Sequence, residues 1–292
     1  VKIAVTGTDG FVGSALVRLA GPLVYAQHRG PDAGGFDLAE QRRIETLFDG
    51  ADVVVHLAGP SAVGKSFAAP AEFARVHAAG TASVLAAAER IGVRRFVHVS
   101  SAEVYGRVVP VPVVETAPIA PVSPYGAAKW AGEVLVASAA QRGAFDAVTI
   151  LRPFSIYGPG LRSEGLVGRL VRQAAARVPM RVFSTAPVRD YVHVDDVVHA
   201  LMLASARTSG GLLTLNIAAG RPVTVPDLAV LCAEIGGGPS ELCEIGSADR
   251  PSALDILWLV ADISFAERAI EWRPTIALRD GLRSCMADGT CA

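Results

Sequence analysis

Charge of one sign is missing from this chain. Its 27 Lys and Arg stand against 28 Asp and Glu, a formal net charge of −1, with both signs mixed along the sequence. A nucleic acid or an anionic lipid surface rewards a clustered basic face, so neither is expected as the main partner. Long apolar runs are missing too: none reaches the roughly 18 residues of a membrane span. Cysteine is scarce, and Cys232, Cys243, Cys285 and Cys291 have no metal-like spacing. No metal site is expected, and the four read as reduced thiols of a cytoplasmic protein. No basic n-region or cleavage site precedes VKIAVTG, which reads as a buried strand. There is no internal repeat or low-complexity tract.

What is present is core material. With 292 residues, 51% hydrophobic and 19% charged, the chain suffices for one large α/β domain and a smaller appended lobe. Short β-branched runs at Lys2–Val5, Leu23–Ala26, Val53–Leu57, Phe96–Val99 and Val148–Leu151 predict buried parallel strands. Between them, Phe73, Val76, Gly80, Val84, Ala87 and Ile91 recur every three or four residues and predict a helix over Glu72–Ile91. This alternation implies a Rossmann-type doubly wound parallel sheet, with ligands at the carboxyl ends of the strands. After Pro153 the rhythm loosens; helices are expected from Leu166 and Asp195, and a late strand at Leu212–Ile217 that returns to the sheet. Residues 1–152 are thus read as a dinucleotide-binding domain to which 188–220 return. Residues 153–187 and 221–292 are read as a mixed, C-terminal substrate-binding lobe.

Gly7, Gly10 and Gly13 lie in Val5-Thr6-Gly7-Thr8-Asp9-Gly10-Phe11-Val12-Gly13, between the first strand and a helix. Glycines there permit a tight turn and let backbone approach a pyrophosphate, and the helix start at Phe11 and Val12 offers free N–H groups. An acid that would bind an NAD ribose is expected about 20 residues on. The segment reads Tyr25-Ala26-Gln27-His28-Arg29-Gly30 instead. The basic pair His28-Arg29 suits a 2′-phosphate, which favours NADP(H) and leaves NAD(H) possible. Asp37-Leu38 and Leu57-Ala58-Gly59, read as following the third and fourth strands, are expected to line the adenine and the phosphates.

Ser123-Pro124-Tyr125-Gly126-Ala127-Ala128-Lys129 places Tyr125 and Lys129 four residues apart on one helix face. A nearby ammonium favours phenolate, and lowering a phenol's pKa by about 3 units asks for roughly 4 kcal/mol. Tyr125 would then shuttle a proton while a nicotinamide exchanges hydride with the same carbon. Ser101, at the end of a preceding strand in SSAEVYG, is expected to hydrogen-bond the reacting oxygen. Glu103 is a candidate acid/base, or else a capping loop carboxylate.

In combination TGTDGFVG, HLAG, SSAEVYG, SPYGAAKWAGE, LRPFSIYGPG, VRDYVHVDDV and NIAAGRPVTV resemble the extended short-chain dehydrogenases that act on nucleotide sugars, the epimerase/dehydratase family. The resemblance spans nearly the whole chain, and Ala58–Thr81 is similar in spacing to UDP-galactose 4-epimerases. It implies a Ser101, Tyr125 and Lys129 triad, with Tyr125, Lys129 and Pro153 also beside the cofactor. It places Ser61, Ser101, Ser155, Phe183, Arg189 and Arg250 at a nucleotide-sugar substrate, the two arginines on its diphosphate. It further implies a homodimer through Glu72–Ile91 and Gly126–Arg142.

The chain departs from that pattern in several places. Ser155 and His77 stand where many relatives carry asparagine. Phe183-Ser184-Thr185-Ala186-Pro187 lacks the usual glycine–acid–glycine. Ala102 stands where 4,6-dehydratases place an aspartate, which disfavours dehydration; the retained Glu103 leaves a decarboxylase open. The leading expectation is an NADPH-dependent 4-ketoreductase of a nucleotide-linked keto sugar. The alternatives are an NAD-dependent 4-epimerase and a non-catalytic sensor of NADP(H) or sugar nucleotide.

Overall fold

A computed structural model describes residues 1–109, 111–161, 165–246 and 255–289. β1 (Ile3–Thr6), α1 (Phe11–Ala20), β2 (Val24–His28), α2 (Gln41–Phe48) and β3 (Val53–His56) open the chain. Two short helices, α3 (Val63–Ala68) and α4 (Pro70–Ala74), precede α5 (Thr81–Ile91), β4 (Arg95–Val99), α6 (Pro124–Gln141) and β5 (Ala147–Pro153). Next come β6 (Ser155–Tyr157), α7 (Leu166–Ala175), β7 (Met180–Val182), β8 (Val188–Arg189), β9 (Tyr191–His193) and α8 (Val194–Ala206). β10 (Gly211–Ile217) then returns to pair with β5.

The result is a six-stranded sheet of order β10-β5-β4-β3-β1-β2, parallel throughout. Every residue of β1, β3 and β5 is buried, as it must be when helices cover both faces. α1 and α8 pack on one face, and α2, α5 and α6 on the other. The strand order reverses between β1 and β3, so the crevice beyond their carboxyl ends is the natural ligand site.

The remaining elements are β11 (Val223–Thr224), α9 (Val225–Gly236), β12 (Leu242–Glu244), β13 (Trp258–Leu259), α10 (Ser264–Ile270) and α11 (Leu278–Asp288). α7, α9 and α11 share a second apolar core, in which Cys232 and Cys285 are buried free thiols. β8 is sandwiched between β11 and β13, antiparallel to the first and parallel to the second. Asp190 ties this lobe to the sheet: its carboxylate accepts the backbone N–H groups of Ala219, Gly220 and Ala261. Among the described residues no helix is long and apolar enough to cross a membrane.

Four local expectations need correction. The helix over 72–91 is interrupted by a π-helical turn at Arg75–Gly80, where Thr81 Oγ1 donates to the His77 carbonyl. β2 runs on to His28, two residues beyond the β-branched run, because His28 still pairs with Thr6 in register. Asp37-Leu38 follow no strand. The segment before them closes on itself, with Gly35 N–H and Phe36 N–H donating to the carbonyls of Gly30 and Arg29. Leu57-Ala58-Gly59 follow β3, the third strand rather than the fourth.

Candidate active site

The glycine-rich turn is built by close approach. Gly7 has φ +78°, and a Cβ there would lie 2.7 Å from the Ala58 Cα; one on Gly13 would lie 2.0 Å from the Gly7 carbonyl oxygen. Only glycine fits both. Gly7 N–H and Thr8 N–H donate to the His28 carbonyl, which pins the turn to the end of β2. α1 starts after Gly10 with no side-chain cap, so its first-turn N–H groups at Phe11 and Val12 face outward for an anion. This bare, uncapped cradle fits a dinucleotide pyrophosphate.

The adenosine end is arranged differently from expectation. His28 is 2% exposed. Its Nδ1 accepts Gly7 N–H at 3.3 Å, and its Nε2 meets the Phe36 carbonyl at 2.9 Å. Both ring nitrogens are therefore committed to backbone, and burial lowers its pKa, so it is a neutral strut. Arg29 is exposed and has no ion-pair partner among the described residues. Asp37 pairs with Arg75 at 2.8 Å and accepts Ala39 N–H, which lowers its pKa. Leu38 is buried under Gly80.

Ser101, Glu103, Tyr125 and Lys129 converge at the carboxyl end of β4. Ser101 caps the short turn Ala102–Val104 by accepting Glu103 N–H, and its hydroxyl lies near enough to Tyr125 to pull the phenol's pKa down. Ser123 caps α6, accepting Gly126 N–H at 3.1 Å, with Pro124 in the first turn. A Cβ on Gly126 would lie 2.6 Å from the Glu103 carbonyl, so the serine turn docks against the helix only because this residue is glycine. The Tyr125 ring is framed edge-on by Phe73 and His77. One turn on, Lys129 Nζ donates to the Val99 carbonyl at 2.9 Å.

Tyr125 is pushed up to about 12, chiefly by burial; the nearby Ser101 hydroxyl pulls the other way and the charge of Glu103 adds to the rise. The Lys129 ammonium, one turn on, is turned to the Val99 carbonyl. Burial brings Lys129 itself down to about 8. Around it lie His56, His77 and His98, all held neutral by burial, with the Lys129 charge contributing. Thr6 Oγ1 and Thr81 Oγ1 engage the two nitrogens of His56 at 2.7 and 3.1 Å.

The substrate-side residues lie on loops and lobe strands. Ser61 is exposed, and Ser155 is half-buried at the start of β6, its N–H on the Asp190 carbonyl. Phe183 is exposed beneath the Arg169 guanidinium, 3.7 Å from its ring centroid. Arg189 donates to the Val188 carbonyl. Pro153 ends β5. Arg250 and Cys291 lie outside the described residues.

Two features were not expected from sequence. Glu133 and Arg152 form an ion pair that runs on through Tyr105 to Asn216; a charge inside the apolar run VTILRPF was its signal. Asp9, inside the glycine motif, accepts Gly30 N–H across the turn; the only signal was its acidity in a phosphate loop.

A glycine cradle at the strand-order reversal, with a serine–tyrosine–lysine set at the neighbouring strand end, defines an enzyme of the extended short-chain dehydrogenase type. The chain belongs to the NAD dependent epimerase/dehydratase family, which matches residues 3–218. It is 29% identical to the UDP-glucose 4-epimerase of Mycolicibacterium smegmatis, over 97% of this chain and 96% of that protein. It is 32% identical to the dTDP-glucose 4,6-dehydratase of Streptomyces griseus, over 98% and 93%. Among solved structures, MoeE5 in complex with UDP-glucuronic acid and NAD aligns at TM-score 0.87 and 30% identity, covering 98% of each chain.

Proposed function

We propose that this enzyme is a nucleotide-sugar 4-epimerase. The observation that carries it is the convergence of Ser101 and Tyr125, with Lys129 one helical turn away and a buried alanine, Ala102, next to Ser101. That set serves proton transfer at a sugar hydroxyl or ketone. It offers no aspartate for expelling a neighbouring hydroxyl, and Glu103 Oε2 is 3.5 Å from the capping Ser123 Oγ.

A bound nicotinamide supplies the hydride acceptor and donor. Ser101 Oγ orients the C4 oxygen, and Tyr125 takes its proton on oxidation and returns it on reduction. Removing that proton needs a lower phenol pKa than burial alone gives. Lys129 supplies the charge: its ammonium has three donors, of which Val99 takes one. Arg189 and Arg250 would grip the diphosphate, and a homodimer would pair the outer faces of α5 and α6, where Ile91 and Val134 are exposed.

The test is incubation of the purified chain with UDP-glucose or dTDP-glucose, reading C4 inversion by proton NMR. Inversion without added cofactor supports the epimerase; a 4-keto-6-deoxy product would overturn it. An NADPH-dependent 4-ketoreductase is the second reading, favoured by the exposed, unpaired Arg29. Consumption of NADPH with a 4-keto sugar, and no inversion, would establish that instead.

A further inference from the structure

The glycine-rich turn fixes where a pyrophosphate lies, and the adenosine ribose then reaches toward the end of β2. An acid from β2 would ordinarily meet its hydroxyls there, but His28 holds that place with both nitrogens committed to backbone. A carboxylate arrives by another route. Asp9, between Thr8 and Gly10 of the turn, crosses to the loop after β2, and its Oδ1 accepts Gly30 N–H at 3.2 Å. Its other oxygen lies 3.5 Å from the point a Gly30 Cβ would occupy. Asp9 is exposed, and among the described residues Oδ2 has no hydrogen-bond partner.

The surrounding charges do not cancel it. Asp37, the other acid whose charge acts on His28, is paired with Arg75. His28 is neutral, and Arg43 stacks over Phe36, 4.5 Å from its ring centroid. Arg29 is exposed on a long side chain, whereas Asp9 is held by its bond to Gly30.

We infer that Asp9 replaces the missing β2 acid, accepting the ribose hydroxyls and repelling a 2′-phosphate, so that the chain selects NAD over NADP. This choice is independent of the epimerase proposal, since it concerns cofactor binding before any sugar is present. A fixed carboxylate opposed to a phosphate outweighs a flexible arginine, which must be ordered before it contributes.

Asp9→Asn is the informative variant. Its amide oxygen still accepts Gly30 N–H, so the clamp survives while the charge and one acceptor are lost. Calorimetric titration of the full chain with NAD and with NADP, without sugar, reads the effect directly. The wild type is expected to bind NAD at least tenfold more tightly. Asp9→Asn should weaken NAD about five- to fiftyfold and strengthen NADP, collapsing the ratio. A merely structural role would weaken both equally, and that outcome overturns the inference. So does a wild type that prefers NADP. C4 inversion is scored separately, so a failed epimerase assay leaves the binding result standing.

Discussion

Arg152, on β5, and Glu133, on α6, form a buried ion pair with Nη2–Oε2 at 2.6 Å and side chains 6% and 2% exposed. Arg152 Nη1 goes on to the Tyr105 hydroxyl, which donates to Asn216 Oδ1 on β10. One network thus joins the helix that carries Tyr125 to β5 and to the strand that closes the sheet. Losing one charge leaves the other buried and unpaired. Glu133→Gln should destabilise the fold by about 3–5 kcal/mol, while replacing both partners by apolar residues should cost much less. Urea denaturation of both variants checks the asymmetry; equal losses would count against it.

Removing the phenol separates chemistry from binding. Tyr125→Phe keeps the ring between Phe73 and His77 and should lower kcat by about 10²-fold or more. Cofactor titration should show little change. Unaltered turnover would remove Tyr125 from the mechanism.

Lys129 stores a pH-dependent cost. Its pKa falls from 10.5 to about 8 on burial. Below pH 8 both folded and unfolded chains carry the charge, and the full penalty, about 3 kcal/mol, is present. Between pH 8 and 10.5 the folded lysine is neutral while the unfolded one is charged, so stability from this group rises. Lys129→Met should therefore be more stable than wild type at pH 7, by about 1–3 kcal/mol, and inactive. Thermal melts across pH 7–10.5 should show the gap closing.

Gly59 has φ +147°, and a Cβ on it would lie 2.2 Å from His77 Cε1. His77 is held there by Nε2 on the Pro60 carbonyl at 2.8 Å. Gly59→Ala should cost about 2 kcal/mol or more, from backbone strain and overlap together. A His77→Ala background relieves only the overlap, so part of that loss should be recovered. No recovery would assign the whole cost to the backbone.

Arg29→Ala bears on the second reading. Without the guanidinium, NADP should weaken more than NAD, by about 1–3 kcal/mol if the contact is charge-assisted. Calorimetry with both cofactors decides; equal losses would show that Arg29 touches neither phosphate.

The sheet was legible because its strands are buried on both faces and write themselves as apolar runs. The spacing of Tyr125 and Lys129 also spoke directly, since four residues on a helix fix a shared face. His28 was misread for a physical reason. Its basicity is visible in sequence, but the Gly7 N–H and Phe36 carbonyl that consume it come from other segments. The same holds for Tyr125, whose ammonium neighbour could be counted but whose burial could not. Arg152 announced a need for a partner, yet nothing local named Glu133. Asp9 sat in plain view, but its bond to Gly30 spans 21 residues and exists only once β1 and β2 pair.

The late arrival of β10 has a consequence for how the chain is made. β10 covers the edge of β5 in register from Gly211↔Ala147 to Ile217↔Pro153. About 60 residues separate the two strands, and they must emerge before that edge is covered, roughly 3–12 s of synthesis at 5–20 residues per second. Through that interval a nascent chain presents the backbone of a strand whose finished place is buried along its whole length, an open template for pairing with another copy. A ribosome stalled before residue 211 would leave behind a five-stranded sheet with a sticky edge, which makes the last strand to join that sheet its safeguard against aggregation.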